Sequence, residues 1–446
     1  MEQLIKIHLT IWLVCCSLCL SAQRHLSLEE CTDIALKQSL QVKSDVLDLD
    51  KTSASIKQAY SALLPTIGIN GAYQYSPQVQ ASVIPSETFG GTSGTFSAVK
   101  LGVPQTKSAT AELNQNIYNP SAIIALKAAK VLLQGNKLQI KSSKEDLVYN
   151  VAATYYNIQS LLKQEEMTSQ NLHNTQSLLD STIAQFQAGL ATQTDVDRLQ
   201  VTHDNSEADL ERLHNNKEKY YNLLKVLMNL PLNENILVNP IPENESPSLS
   251  TDNYNLAQKT NYLQILQNKQ TAELEFKNIK SGYQPTISFF ANYGVYGYYS
   301  NANPLNNIND KWYPTSTIGI KMKLTLFDGF NIKYQAKQKK IEISKLDVQA
   351  AQTLQQNQKE VADAMADLKS NMLTYQNQQR NLVLAQKVLA DINLQYLSGI
   401  AKVSDVINAT TDLQTAQNNF ISAQINIKQA QISLKKAQGT LLPQSF

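Results

Sequence analysis

Few side chains in this sequence are arranged for chemistry. The five histidines (His8, His25, His173, His203 and His214) are scattered and share no ligand spacing. His203 falls on a mostly apolar heptad line with Val196, Leu210, Lys217 and Leu224. A polar residue on a helix seam or facing a lumen fits that position better than a metal ligand. There is no nucleophile elbow, phosphate-cradling loop or dinucleotide fingerprint, so neither catalysis nor a cofactor or metal is expected. What stands out is a pair of acids, Asp195 and Asp405, each six residues after a glycine (Gly189, Gly399) and each followed by valine. An acid in the first turn of a helix is favoured by the helix dipole by about 0.3–1 kcal/mol. Capping is therefore one reading of both.

The elements around these acids are long helices. From Val406 every seventh residue is large and apolar (Val406, Leu413, Phe420, Ile427, Leu434, Leu441), and Ala409, Ala416, Ala423, Ala430 and Ala437 follow three residues later. A period of seven keeps one narrow seam against a partner helix, and alanine there lets the partner backbone come close. Composition agrees: of 446 residues 42% are apolar and only 7% aromatic, with 15 Gly and 13 Pro. The net charge of +2 offers no field for nucleic acid. After the first residues no stretch is apolar enough to span a bilayer as a helix.

Those first residues read as an export signal over 1–22, with Lys6 and His8 ahead of the apolar run Leu9 to Leu20 and a small residue before Gln23. Cys15, Cys16 and Cys19 would leave with it, and no acyl anchor is expected, which leaves Cys31 alone as a packing residue.

The remainder is a pattern stated twice. The first repeat, 23–230, opens with a capping box at Ser27 and Glu30 and a helix running to about Leu64. A hairpin is expected over 66–118, with a Gly/Ser/Pro-rich loop from Ser76 to Gln105 and a second strand near Ala109 to Tyr118. A long helix over 120–187 and a return helix over 192–229 follow. A Pro/Asn/Ser-rich linker, 231–252, leads to the second repeat, 253–446: helix from Asn253, hairpin 286–327, long helix 329–397, return helix 402–441. The seam Val151, Tyr155, Ile158, Leu162 recurs 210 residues on as Val361, Met365, Leu368, Met372, and Gly189 and Asp195 recur as Gly399 and Asp405.

Each expected strand is apolar on one face and polar on the other, which suits the lipid and lumen sides of a membrane barrel. Lys321 and Lys323 then belong to the lumen, because a lysine facing lipid at the midplane costs roughly 2–4 kcal/mol. Four strands cannot close alone and open edges are forbidden in lipid, so several chains must share one barrel. Two soluble hairpins capping a helical bundle, their apolar faces packed together, is the other reading.

The order of these elements, with the tips Phe186-Gln187-Ala188-Gly189 and Tyr396-Leu397-Ser398-Gly399, resembles the TolC-type outer-membrane efflux channels over essentially the whole mature chain. The resemblance implies a mainly α fold with transmembrane β: a homotrimer with a shared twelve-stranded β-barrel in outer-membrane lipid and a helical barrel across the periplasm of a Gram-negative bacterium. It implies a passive efflux duct docked to a periplasmic adaptor (membrane fusion protein) and an inner-membrane transporter of the RND or ABC class. By the same resemblance Asp405 contributes to a periplasmic constriction, with Asn408 where a second acid would stand, Tyr396 as the gate aromatic and Asp195 as a partner acid. Asn408 implies a ring of weaker charge, and the family's gate-locking arginine falls at Ala401, beside Lys402, so the locking salt bridge is not carried over by the resemblance. Gly189, Ala191, Thr192, Gly399, Ala401 and Lys402 would form the tips that meet the adaptor. Two alternatives stay open: a duct for type I peptide or protein secretion, and a periplasmic coiled-coil scaffold or adhesin with no pore.

Overall fold

A computed structural model describes residues 24–242, 254–299 and 311–442. The expected export signal, most of the linker's second half and the loop after residue 299 lie outside them. Two compact units are distinguished. One comprises residues 1–48, 136–265 and 348–446, the other 49–135 and 266–347.

In chain order, β1 (Arg24–Leu26) precedes α1 (Leu28–Gln38) and α2 (Leu40–Ser61), then come β2 (Thr66–Tyr75), β3 (Ala81–Pro85), β4 (Phe96–Lys100) and β5 (Gln105–Tyr118). The helices α3 (Pro120–Gln187) and α4 (Gln193–Leu227) follow, then β6 (Ile236–Val238) and α5 (Thr260–Lys280). The chain ends with β7 (Thr286–Tyr299), β8 (Tyr313–Lys323), α6 (Asn331–Leu397) and α7 (Val403–Gln438).

Several boundaries differ from the sequence reading, each for a local reason. The first helix does not run unbroken to Leu64. It breaks at Ser39, at φ −50° and ψ 128°, where the Ser39 Oγ accepts from the Val42 N–H at 3.5 Å and restarts the helix. It then ends at Ser61, ahead of Pro65, whose ring disfavours helical backbone in the residue before it. The stretch from Ser76 to Gln105 holds a second hairpin, β3 with β4, and β5 begins at Gln105 rather than Ala109. Within the linker, Ile236–Val238 pairs in parallel with Arg24–Leu26. The helix expected from Asn253 starts at Thr260, after a short 3-10 turn. The last strand stops at Lys323 instead of 327, because its partner β7 starts at Thr286, directly opposite.

The second unit is built on one antiparallel sheet of order β2-β5-β7-β8. Its register aligns residues of like character. Ile67, Leu113, Ala291 and Ile318 form one row across the four strands, and Gly71, Ala109, Val295 and Pro314 another. On the opposite face lie Gly68, Glu112, Asn292 and Thr317, with Lys321 opposite Ser288 and Lys323 opposite Thr286. The apolar face is left uncovered: Ile67, Ile69, Ile318, Ile320 and Met322 are all exposed.

The first unit is held by helix seams. Val361, Ala364 and Leu368 of α6 pack with Ile427, Ala430, Leu434 and Ala437 of α7. Farther along, Leu382 packs with Leu413 and Ala416, and Tyr375 stacks on Phe420 with centroids 5.4 Å apart. Against α3 the same return helix is fastened by polar pairs instead. Lys436 to Asp146 measures 2.8 Å, Gln429 to Asn157 3.1 Å and Asn171 to Gln417 2.8 Å. A third core gathers Leu26, Ala35, Val151, Tyr155 and Leu224 around Cys31, whose thiol burial pushes up to about 12, so it stays protonated and packs. In α4 the buried line is Leu199, Ser206 and Leu213, one step round from the heptad line of His203. Enlarging a buried alanine of the α6–α7 seam tests this packing. Ala416→Leu should destabilise the chain by about 1–3 kcal/mol through overpacking, read as a lower helix melting temperature by circular dichroism.

Candidate functional site

The tips of the two helix pairs share one chemistry. Gly189 sits at φ +75° and Gly399 at φ +73°, a conformation that carries no Cβ penalty only for glycine. There the N–H of Leu190 donates to the Gln185 carbonyl at 2.8 Å, and that of Ile400 to the Gln395 carbonyl at 2.9 Å. These bonds satisfy the last carbonyls of each long helix and turn the chain. The return helices then start with acids. Thr192 Oγ1 accepts from the Asp195 N–H, and Asp195 Oδ2 accepts in return from the Thr192 N–H, both at 3.2 Å. At the second tip Asp405 Oδ2 accepts from the Lys402 N–H at 3.0 Å. A lysine side chain has no acceptor, so this cap is half of a box where the first is whole.

Both tips meet in one apolar cluster. Leu179, Leu199 and Val403 are its buried members, with Ile183, Val196, Tyr396 and Ile407 packed against them. The Tyr396 hydroxyl donates to Gln185 Oε1 at 3.1 Å and lies 3.3 Å from Thr182 Oγ1. Thr182 is fully buried, so Tyr396 ties the end of α6 to α3. Between the two return helices runs a groove of about 430 Å³ lined by Thr194, Asp197, Arg198, Ser404, Ile407 and Asn408 among others.

The residues expected at a constriction are thus brought together only in part. Asp405 and Asn408 are both exposed, one turn apart, beside the buried Val406 and Ala409. Asp195 is occupied by Thr192 and Tyr396 by α3. Ala191, Ala401 and the exposed Lys402 lie in the turns. Lys321 and Lys323 belong to the other unit, on the polar face of the sheet. Two apolar side chains were missed: Leu190 and Ile400 stand 80% and 76% exposed at the tips. Their signal was an aliphatic residue directly after each turn glycine, at equivalent repeat positions.

His203 does have acidic company. Ligand atoms of His203, Asp204 and Glu207 lie within 4.8 Å of one another on the surface of α4. Hydrogen bonds from His203 and then Gln200 hold the Asp204 carboxyl below its usual range. They account for the arrangement as a surface network, although the three groups could also ligate a cation.

Comparison with known proteins agrees with this architecture. A model of the family described as outer membrane efflux protein matches residues 32–230 and 263–440. Outer membrane protein TolC of Escherichia coli (strain K12) is 22% identical over 397 residues, covering 84% of this chain and 75% of that protein. Outer membrane protein TolC of Vibrio cholerae serotype O1 is 22% identical over 399 residues, covering 87% and 85%. Among solved structures, CusC superposes with a TM-score of 0.75 at 16% identity over 92% of both chains. The open-state MtrE outer membrane channel of Neisseria gonorrhoeae gives 0.69, also at 16%, over 93% of this chain and 89% of that one.

The whole cap at Thr192 and the half cap at Lys402 should behave differently. Thr192→Ala removes about 1 kcal/mol of capping and should speed amide exchange in the first turn of α4 about fivefold. Lys402→Ala should leave the first turn of α7 unchanged, since the Asp405 carboxylate accepts from the backbone there. Hydrogen–deuterium exchange resolves the two.

Proposed function

Since this chain belongs to the outer membrane efflux protein family, we propose that three copies of it form the passive exit duct of a tripartite pump. It is a protein of the outer membrane with the long-helix and strand fold of the family's channels. The observation that carries the finer reading is the sheet. It has one uncovered apolar face and one polar face, and among the described residues β2 and β8 each have only one neighbour. An edge cannot stay open in hydrocarbon. With four antiparallel strands, β8 of one copy runs antiparallel to β2 of the next, so copies join by the same pairing used inside the chain. Three copies give twelve strands, an even number within the range of membrane barrels. Lys321, Lys323, Glu112 and Asn292 then line the lumen, and Ile67, Ile318 and Ile320 meet lipid.

At the helix tips, Asp405 and Asn408 supply the constriction. Repeated by the threefold, the Asp405 carboxylates form an acidic ring that attracts cations, while Asn408 adds polarity without charge. Tyr396 acts as a brace to α3 behind that ring, and Asp195 as a helix cap. The turns at Gly189, Ala191, Thr192, Gly399, Ala401 and Lys402, with Leu190 and Ile400 exposed between them, present apolar knobs for a periplasmic adaptor. The driving pump is an inner-membrane transporter of the RND or ABC class, and the cargo is drugs or other small molecules.

Asp405→Asn keeps an oxygen for the Lys402 N–H and removes the charge, which separates a ring from a cap. The purified protein in planar bilayers should lose cation selectivity and become about tenfold less sensitive to block by multivalent cations. Unchanged selectivity and block would leave Asp405 as a helix cap alone.

A further inference from the structure

The apolar face of the sheet is interrupted once by a charge. Two rows from the loop end, Tyr73, Lys107 and Gly297 lie side by side, and in the last row Tyr75, Gln105 and Tyr299. By strand parity these share the face of Ile67, Leu113 and Ala291. The Lys107 ammonium lies 4.7 Å from the centroid of the Tyr299 ring and 4.9 Å from that of Trp312. Gly297 makes the arrangement possible: a Cβ there would stand 2.7 Å from the Tyr299 hydroxyl and 3.1 Å from Lys107 Cε and Cγ. Tyr299 is 8% exposed. Its hydroxyl, and the Oε1 of Gln105 beside it, are buried with no hydrogen-bond partner among the described residues. Buried polar atoms are rarely left so.

We propose that this cluster is a binding site for the phosphate of an anionic membrane lipid. A cation, a buried hydroxyl and a buried amide oxygen, the last two without a partner among the described residues, stand in neighbouring positions at one point of this face. That point lies where the apolar face gives way to loops. A phosphate there leaves its acyl chains to run down over Val295, Ala109 and Ile69, which neither a soluble anion nor a neutral lipid can satisfy together. The aromatic rings hold Lys107 by cation–π attraction, at a depth where a lysine facing lipid is tolerated. The inference rests on the reading that this face meets lipid.

Trp312 reports on the site; the other tryptophan, Trp12, lies in the expected export signal. The full chain in neutral detergent is titrated with phosphatidylglycerol, with diacylglycerol and with inorganic phosphate, and tryptophan emission is followed. Phosphatidylglycerol alone should give a saturable change that is absent in Trp312→Phe, and Lys107→Gln and Tyr299→Phe should each weaken it at least fivefold. An equal response to diacylglycerol, an equal response to inorganic phosphate, or full affinity in Lys107→Gln would overturn the proposal. Ile320→Trp in a Trp312→Phe background, quenched by lipids with brominated chains, distinguishes the two failures. Without quenching, the lipid-facing reading itself is wrong. Quenching together with an indifferent Lys107→Gln refutes only the phosphate site.

Discussion

A sheet edge in hydrocarbon has nowhere to place its N–H and C=O groups. That constraint governs this molecule more than any single contact. Two hairpins of one chain pair with each other through β5 and β7, yet β2 and β8 remain at the margins. Register has already sorted apolar from polar residues into separate rows, so any further strand must join without slipping. A slip by one residue would put Lys321 on the side of the next copy's Ile67 and Ile69 and turn Ile318 and Ile320 to the polar face. Further copies of the same chain supply such strands, and the helices must then obey the symmetry that the strands impose.

The helices answer with two kinds of seam. Between α6 and α7 the contact is small and dry, with Ala364, Ala416, Ala430 and Ala437 buried beside leucine and valine. Such a seam holds two helices at one close distance. Between α3 and α7 the fastening is a series of amide and ion pairs spread along the helices. The Lys436–Asp146 ion pair is exposed and contributes little, about 0–1 kcal/mol, whereas the two amide pairs are partly buried. The α6–α7 pair is thus joined to itself by apolar packing and to α3 mainly by polar pairs, with the buried contact of Leu179 and Val403 at the tip. Tyr396, through Thr182 and Gln185, is the bond nearest that tip between the long helices of the two repeats.

Much of this was legible because the signals repeat. Gly189 and Gly399 each end a long helix, and the same seam returns 210 residues later, so one copy corroborated the other. What escaped was what breaks a pattern. Lys107 on the apolar face hid the first four residues of β5 among polar neighbours. Ser39 broke a helix through a local side-chain bond. Strands of three residues, such as β1 and β6, are too short to show a period. At the tips, residue types alone could not separate a capping acid from a lining one. Asp195 accepts from both the N–H and the hydroxyl of Thr192, while Asp405 accepts from the Lys402 N–H and stays exposed.

The central claim is that β8 of one copy pairs with β2 of the next and that three copies close the ring. Single cysteines placed along β2 from Thr66 to Tyr75 are combined with Ile320→Cys on β8, oxidised in native membranes and separated under denaturing, non-reducing conditions. The buried Cys31 does not compete. The account predicts that one register links copies into covalent species ending at the trimer, while neighbouring positions link weakly or not at all. Pairs that never join two copies, or a ladder that continues past three, would contradict it.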